Sequence, residues 1–260
     1  MIFIDQMSRE VEILNTPKRI VSLVPSQTEL LIALGLKDSI VGITKFCVHP
    51  SNLRKEKTVV GGTKKINYDV LEKLNPDIIL CNKEENSKEI VEYLEKEYPV
   101  HVSDIFSVSD ALEMTLQYGE MFKKQTLAKT LVSEIKMEEE SFRNFIKDKP
   151  KKQVAYFIWK NPWMAAGKNT FIDYLLKENG FTNVFDHMSR YPEVSDNDIA
   201  SLPKLDLILL SSEPFPFAQK HIDDAQKTYP SAKVILVDGE YFSWYGSRLR
   251  DAFSYFKTLH

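Results

Sequence analysis

The sequence predicts an α/β protein of two similar lobes, each built on a parallel sheet, joined by one long rigid helix. Three observations predict it. The stretch Asp77-Ile78-Ile79-Leu80-Cys81-Asn82-Lys83-Glu84 is echoed 129 residues later by Asp206-Leu207-Ile208-Leu209-Leu210-Ser211-Ser212-Glu213. Each echo is an acid, a four-residue apolar run and a polar loop ending in glutamate, which reads as a buried parallel strand opening at its carboxyl end. Apolar strand-like runs alternate with helical patterns on both sides of the chain, as a sheet covered by helices requires. Between them, from Ser109 to Phe145, there is no proline and a single glycine, Gly119.

The elements follow in order. Arg19 to Val24 is an aliphatic, β-branched strand, ended by Pro25. Ser26-Gln27-Thr28-Glu29 has the spacing of a capping box, and the helix it opens runs to Gly35, a natural residue for the left-handed turn after a helix. Further strands are expected at Ile40 to Ile43, Thr58 to Val60 and Ile78 to Cys81, with helices at Tyr68 to Leu74 and Asn86 to Lys96. In the glycine-poor stretch apolar residues recur three or four apart, at Leu112, Tyr118, Met121, Phe122, Leu131, Val132, Ile135, Phe142 and Phe145. One continuous helix there would be about 55 Å long at about 1.5 Å per residue, enough to bridge two lobes. A single glycine costs a helix only about 1 kcal/mol, so a break near Gly119 is the lesser expectation.

The charged run Lys147 to Lys152, with Pro150, marks a boundary. The expected division is an amino-terminal α/β lobe over 1–108, a bridging helix over 109–147 and a carboxyl-terminal α/β lobe over 148–260. The second lobe restarts with a strand at Gln153 to Trp159, a helix capped by Thr170 and Asp173 and ended by Gly180, strands at Leu205 to Leu210 and Val234 to Val237, and a closing helix from Ser247 to Leu259.

Composition narrows the function. With 43% hydrophobic and 27% charged residues, the 260-residue chain has the makeup of a protein with a full core. A net charge of −3 gives no reason to expect nucleic acid as a partner. No apolar run approaches the roughly 20 residues that span a bilayer, and the first residues lack a basic-then-apolar signal pattern. Only 9 glycines, and no glycine-rich phosphate loop, nucleophile elbow or His-Glu-x-x-His helix, argue against nucleotide or hydrolytic chemistry. No catalytic residue is nominated, and the reading is a binding protein rather than an enzyme.

The chemistry-bearing residues gather where strands end, the place where open α/β sheets bind ligands. They are Phe46, Cys47 and His49 after Ile43; Lys83 and Glu84 after Cys81; Trp159 and Trp163, with Lys160, after Ile158; Glu213 and Phe215 after Leu210; and Phe242, Trp244 and Tyr245 after Val237. So many rings at loop starts suit a flat, partly apolar ligand. A tryptophan also serves as a plug between loop and core, and one of the three is expected to do so. Cys47 and His49, two apart, are a minimal metal pair, short of the three or four ligands of a full site. The two cysteines, Cys47 and Cys81, are equally compatible with a disulfide and with free thiols.

Pro17 to Glu29 (PKRIVSLVPSQTE), Leu74 to Ile79 (LNPDII) and Gly180 to Phe185 (GFTNVF), in that order and spacing, resemble the substrate-binding proteins of vitamin B12 and ferric-siderophore ABC importers, and most of all the vitamin B12-binding branch. The resemblance covers nearly the whole chain. It implies two Rossmann-like lobes joined by one helical backbone, with a corrinoid (cobalamin) or ferric siderophore held between them as transported ligand, no intrinsic cofactor, and a monomer working with ABC importer permease subunits. It implies ligand contacts at Phe46, Trp163, Tyr191, Phe242 and Trp244 or Tyr245; Tyr191 sits in Tyr191-Pro192-Glu193-Val194-Ser195, where that branch carries an aromatic–proline pair before Val-Ser. It implies one acidic docking residue per lobe. The 129-residue offset nominates Asp69 and Asp198, with Glu72 and Asp196 as alternates, although capping at a helix start explains both equally. The chain departs from the branch at Thr63-Lys64-Lys65, where an aromatic is expected after Gly-Gly, and in the polar residues Cys47, His49, Lys83 and Glu84. A periplasmic or membrane-associated location follows from the resemblance, and the missing signal pattern keeps a cytoplasmic one open. Two alternatives stand beside the chelate importer: a metal-ion or haem receptor using Cys47 and His49, and a cytoplasmic enzyme or corrinoid-handling protein on the same fold.

Overall fold

The computed structural model describes residues 1–195, 198–199, 202 and 204–260; Asp196 lies outside them. The chain forms two compact units. The first comprises Met1–Lys136 with Trp244–Arg250, the second Met137–Ser243 with Asp251–His260.

The first unit carries a five-stranded sheet in the order β5 (Thr58–Val59), β4 (Ile40–Ile43), β3 (Ile20–Ser22), β6 (Ile78–Asn82), β7 (Val100–Ser103), every pairing parallel. Its central strands are buried along their whole length, as the unbroken apolar runs require. The order reverses between β3 and β6, so a crevice opens at their carboxyl ends. Strand β6 is pinned at its start by Asp77, whose carboxylate accepts from the Lys18 and Arg19 amides at 2.7 and 2.9 Å.

A two-stranded antiparallel ribbon, β1 (Ile2–Ile4) and β2 (Glu10–Glu12), precedes the sheet. The sequence reading missed it. The turn joining its strands meets the outer side of β7 through side chains alone. Asp5 accepts from the Val102 amide at 3.0 Å, Arg9 donates to the Val100 carbonyl at 2.8 Å, and Gln6 accepts from the Asp104 amide at 3.1 Å.

Two local expectations are corrected. The capping box at Ser26 and Glu29 does not form. The helix begins at Pro25, its first turn leans on the fixed proline geometry, and Glu29 instead pairs with Arg248 through two bonds of 3.0 and 2.7 Å. The single helix over 109–147 is two helices, Val108–Met121 and Gln125–Ile146. Lys123 takes a left-handed conformation (φ 55°), the Lys124 amide donates to the Gly119 carbonyl and the Lys123 amide to that of Glu120, which closes the first helix in a Schellman turn. Gly119 then lets the second helix approach: a Cβ on it would stand 2.5 Å from that of Ala128. The division between the two units falls inside the second of these helices rather than at Lys147 to Lys152.

The second unit's sheet runs β11 (Glu193–Val194), β9 (Trp163–Ala165), β8 (Lys152–Trp159), β12 (Leu207–Ser211), β13 (Lys233–Val237), with β10 (Phe181–Asn183) also paired to β8. The pairings of β8 with β10 and β12, and of β12 with β13, are parallel; β9 and β11 run antiparallel to their neighbours. Helix Phe171–Glu178 is capped as expected, Thr170 accepting from the Asp173 amide at 3.1 Å. A core of Ala155, Phe157, Phe185, Ile208, Leu210 and Phe217 lies on one sheet face.

Candidate ligand-binding residues

At the carboxyl edge of the first sheet, the crevice between β3 and β6 is filled by polar side chains of the chain itself. The Gln27 amide nitrogen donates to the Ser103 hydroxyl (2.7 Å), the Cys81 carbonyl (3.1 Å) and the Tyr245 hydroxyl (3.3 Å), while its oxygen accepts from Tyr118 at 2.9 Å. Asn82 closes the loop after β6, its oxygen accepting from the Glu84 and Glu85 amides. Asn86 ties that loop to Leu23 and Thr63. Every group here is buried and bonded, which makes the loop a rigid platform.

Phe46 stands on that platform, 48% exposed, with the Lys45 ammonium 5.0 Å from its ring centre. Both side chains lie over Gly62: a Cβ there would come 3.3 Å from the Phe46 ring and 3.5 Å from Lys45. Lys83 pairs with Asp104 at 2.6 Å and reaches over Phe106. Lys64 donates to the Glu84 carbonyl at 2.5 Å. Lys45, Lys64 and Lys65 are all exposed.

Three nominated residues of this edge are corrected. Cys47 is 1% exposed and turned inward, its sulfur 3.1 Å from the Thr28 hydroxyl and 3.4 Å from that of Thr44; burial pushes the thiol up and keeps it protonated. Among the described residues no group of three or more His, Cys, Asp or Glu side chains is placed to hold a metal ion. Both cysteines are free, and Cys81, wholly buried, is pushed up to about 12. Tyr245 is buried with its hydroxyl in the Gln27 network, and burial raises it further from ionisation. Trp244, 7% exposed, is the plug among the tryptophans: His49 meets it edge-on at 5.3 Å and the Arg248 guanidinium lies 4.9 Å from its ring centre.

At the carboxyl edge of the second sheet, rings dominate. Trp159, 38% exposed, packs edge-on against Phe215 at 5.4 Å, and Phe215 packs on Phe217 at 4.7 Å. Trp163 is half-buried, 4.9 Å from Phe157 and stacked on Phe217 at 6.0 Å, with the Lys160 ammonium 5.3 Å from its ring centre. It forms one wall of a pocket of about 180 Å³ shared with Lys160, Leu210, Asp224 and Tyr229. Tyr191 is half-buried with the Arg190 guanidinium 6.0 Å away. Glu213 accepts from the Ser243 hydroxyl at 2.6 Å. Phe242 is corrected: it is fully buried between Tyr156 (5.1 Å) and Phe256 (4.8 Å), a core residue.

The two nominated docking acids do different jobs. Asp69 is exposed in the first turn of helix Tyr68–Lys73, which Asn67 caps by accepting from the Val70 amide. The Asp198 carboxylate accepts from both the Ser195 amide (2.8 Å) and hydroxyl (2.7 Å), and these bonds hold it below the usual carboxylate range. The sequence reading overlooked a further pocket, of about 370 Å³, in the first unit, lined by Met7, Arg9, Lys83, Asn86, Val91 and Val102. Its residues come from four separate segments, so no local pattern signals it. Among the described residues no helix is long and apolar enough to cross a membrane.

Compared with known proteins, residues 20–233 match the family described as periplasmic binding protein. An uncharacterized ABC transporter substrate-binding lipoprotein of Bacillus subtilis is 29% identical over 209 residues, 76% of this chain and 65% of that protein. A vitamin B12-binding protein of Vibrio vulnificus is 26% identical over 183 residues, 68% of this chain and 66% of that protein. The chain thus spans slightly less than two thirds of the length of these relatives. The crystal structure of a periplasmic heme binding protein from Pseudomonas aeruginosa superposes with a TM-score of 0.81 at 20% identity, covering 94% of this chain and 92% of that one, a likeness of fold.

Proposed function

The chain belongs to the periplasmic binding protein family, and from that membership we propose that it captures a corrinoid or similar metal chelate and delivers it to an ABC importer. The observation that carries the proposal is the family match over residues 20–233, with accessible rings at the carboxyl edges of its sheets, Phe46 in the first unit and Trp159, Trp163 and Phe215 in the second, and Tyr191 just before β11. A flat chelate buried against such rings gains about 25 cal/mol per Å² of apolar surface removed from water. Lys83 and Glu84 of the first unit and Glu213 of the second are the polar side chains each unit offers a ligand, and Asp69 and Asp198 are the acids offered to the permease. Ligand capture needs no bond made or broken by the protein.

Titrating the tryptophan fluorescence with cyanocobalamin, ferric haem and a ferric siderophore tests this. Saturable quenching by one of them, weakened in Trp163→Ala or Tyr191→Ala, is the expected result. Silence toward all three, in a protein shown to be folded by circular dichroism, removes the proposal.

A further inference from the structure

Among the accessible rings, Phe46 differs from the others in its electrostatic setting. The Lys45 ammonium lies beside its ring, and the turn closed by the Gly61–Ile66 bridge brings Lys64 and Lys65 to the same platform. That turn is fixed to the Phe46 segment by the Lys45 amide, which donates to the Gly61 carbonyl at 2.7 Å, and is closed by the Gly62 amide donating to the Lys65 carbonyl at 2.8 Å. Lys64 is further tied to the loop after β6 through the Glu84 carbonyl. None of the three lysines has a carboxylate partner among the described residues. Contrast two other cations of this unit: Lys83 is neutralised by Asp104 and Arg248 by Glu29.

The acids of this edge do not cancel the lysines from the solvent side. Glu84 and Glu85 are half-buried, one Glu84 carboxylate oxygen is out of solvent, and the Glu85 charge is felt by the interior groups Cys47 and Tyr245. Three ammoniums without a carboxylate partner thus gather on the Phe46 platform, on a chain whose net charge is −3. A local excess opposite in sign to the whole attracts and orients a ligand of negative charge. A ring with an ammonium at its rim further matches a ligand that joins a flat apolar surface to anionic substituents.

Resting on the chelate-capture reading above, we infer that the ligand is an anionic chelate whose negative groups meet Lys45, Lys64 and Lys65 beside Phe46. Cyanocobalamin, neutral overall and fringed with amides, offers these three ammoniums only its single phosphodiester, whereas a carboxylate-bearing tetrapyrrole or a catecholate iron complex engages them through several anionic oxygens. Lys64 and Lys65 are then specificity-determining residues, and Lys45 both orients Phe46 and contributes to the charge.

Matched pairs of probes test charge apart from shape. Ferric haem is compared with its dimethyl ester, and a trianionic ferric tris-catecholate with an uncharged ferric tris-hydroxamate; cyanocobalamin is the neutral corrinoid. Dissociation constants are read by tryptophan quenching at low and at high sodium chloride. The expected result is that the anionic member of a pair binds at least about tenfold tighter, the scale of one charge-assisted contact, and that salt erodes the advantage. In the variant Lys45→Ala, Lys64→Ala, Lys65→Ala the advantage disappears while the circular dichroism spectrum stays that of the folded protein, since exposed lysines carry little of the fold. Equal or tighter binding of the neutral members, or an advantage that survives the triple replacement, overturns the inference and leaves chelate capture standing. Binding of none of the five probes overturns both.

Discussion

The two echoed strands, β6 and β12, do the same work at one end and different work at the other. At their starts, Asp77 accepts the Lys18 and Arg19 amides that lead into β3, and Asp206 accepts the Gln153 amide of β8 at 2.8 Å. Each acid stitches its strand to the neighbour on the far side of the switch in strand order. At their ends the side chain of the last strand residue again plays one part: the Asn82 oxygen accepts from the Glu84 amide at 2.8 Å, and the Ser211 hydroxyl from that of Glu213 at 3.3 Å. Beyond that point the units diverge. The first presents lysines beside the exposed Phe46; the second presents the rings of Trp159 and Phe215, packed on the buried Phe217. The repeated part is scaffold, and the part that differs carries the rings and lysines proposed above to meet a ligand.

The sharpest way to break this division is to remove a loop ring that the structure assigns to the scaffold. Phe242→Ala, emptying a site between Tyr156 and Phe256, is expected to cost about 3–5 kcal/mol in urea unfolding. A loss under about 1 kcal/mol would return Phe242 to the ligand-contacting set. Next in size is the stitch. Asp77→Ala removes two exposed bonds and Asp206→Ala one, so losses of about 0.5–1.5 kcal/mol are expected, larger for Asp77; equal losses would mean that the two acids are not equivalent stitches of unequal bond number.

A third comparison sets the buried His101 of the first unit against the half-buried His260 of the second. Burial holds His101 of the first unit below its ordinary 6.5, and burial with nearby Lys152 and Lys149 brings His260 of the second down to about 4. In the interval below 6.5 the unfolded chain binds more protons than the folded one, so stability is complete above that pH and falls as acid is added. Urea midpoints measured from pH 7.5 to 4.5 should decline, and His101→Gln and His260→Gln should each flatten the decline. A midpoint independent of pH would show that neither histidine is held neutral by the fold. The smallest effect is expected at Phe46→Ala, within about 0.5 kcal/mol in stability because the ring is half exposed, with its whole consequence appearing in chelate affinity.

The scaffold was legible in the sequence because it is written locally. The apolar runs of β3, β6, β8 and β12 and the glycine after the helix Pro25–Ala33 all carry their own signals. The break at Lys123 escaped because the residue in the left-handed position is a lysine, not the glycine found at Gly35, where the same pattern of closing bonds was foreseen. The candidate residues divided on burial, which a loop position does not reveal: Phe46 and Trp159 face solvent, whereas Cys47, Phe242 and Tyr245 face inward, and alternation along a strand offers no guide once the strand has ended. Lys64 and Lys65 were noticed only as a departure from a resembling pattern; their closeness to Phe46 depends on the turn at Gly61.

The ribbon whose turn meets β7 has a consequence for handling the protein. Asp5, Gln6 and Arg9 occupy the outward amides and carbonyl of a strand that is otherwise the open border of the sheet. Trimming the first dozen residues, a routine choice when preparing a protein for crystallisation, would leave that border able to recruit the same border of another molecule. The shortened chain should therefore gather into soluble oligomers before it loses its fold, visible as early elution in size exclusion at unchanged circular dichroism.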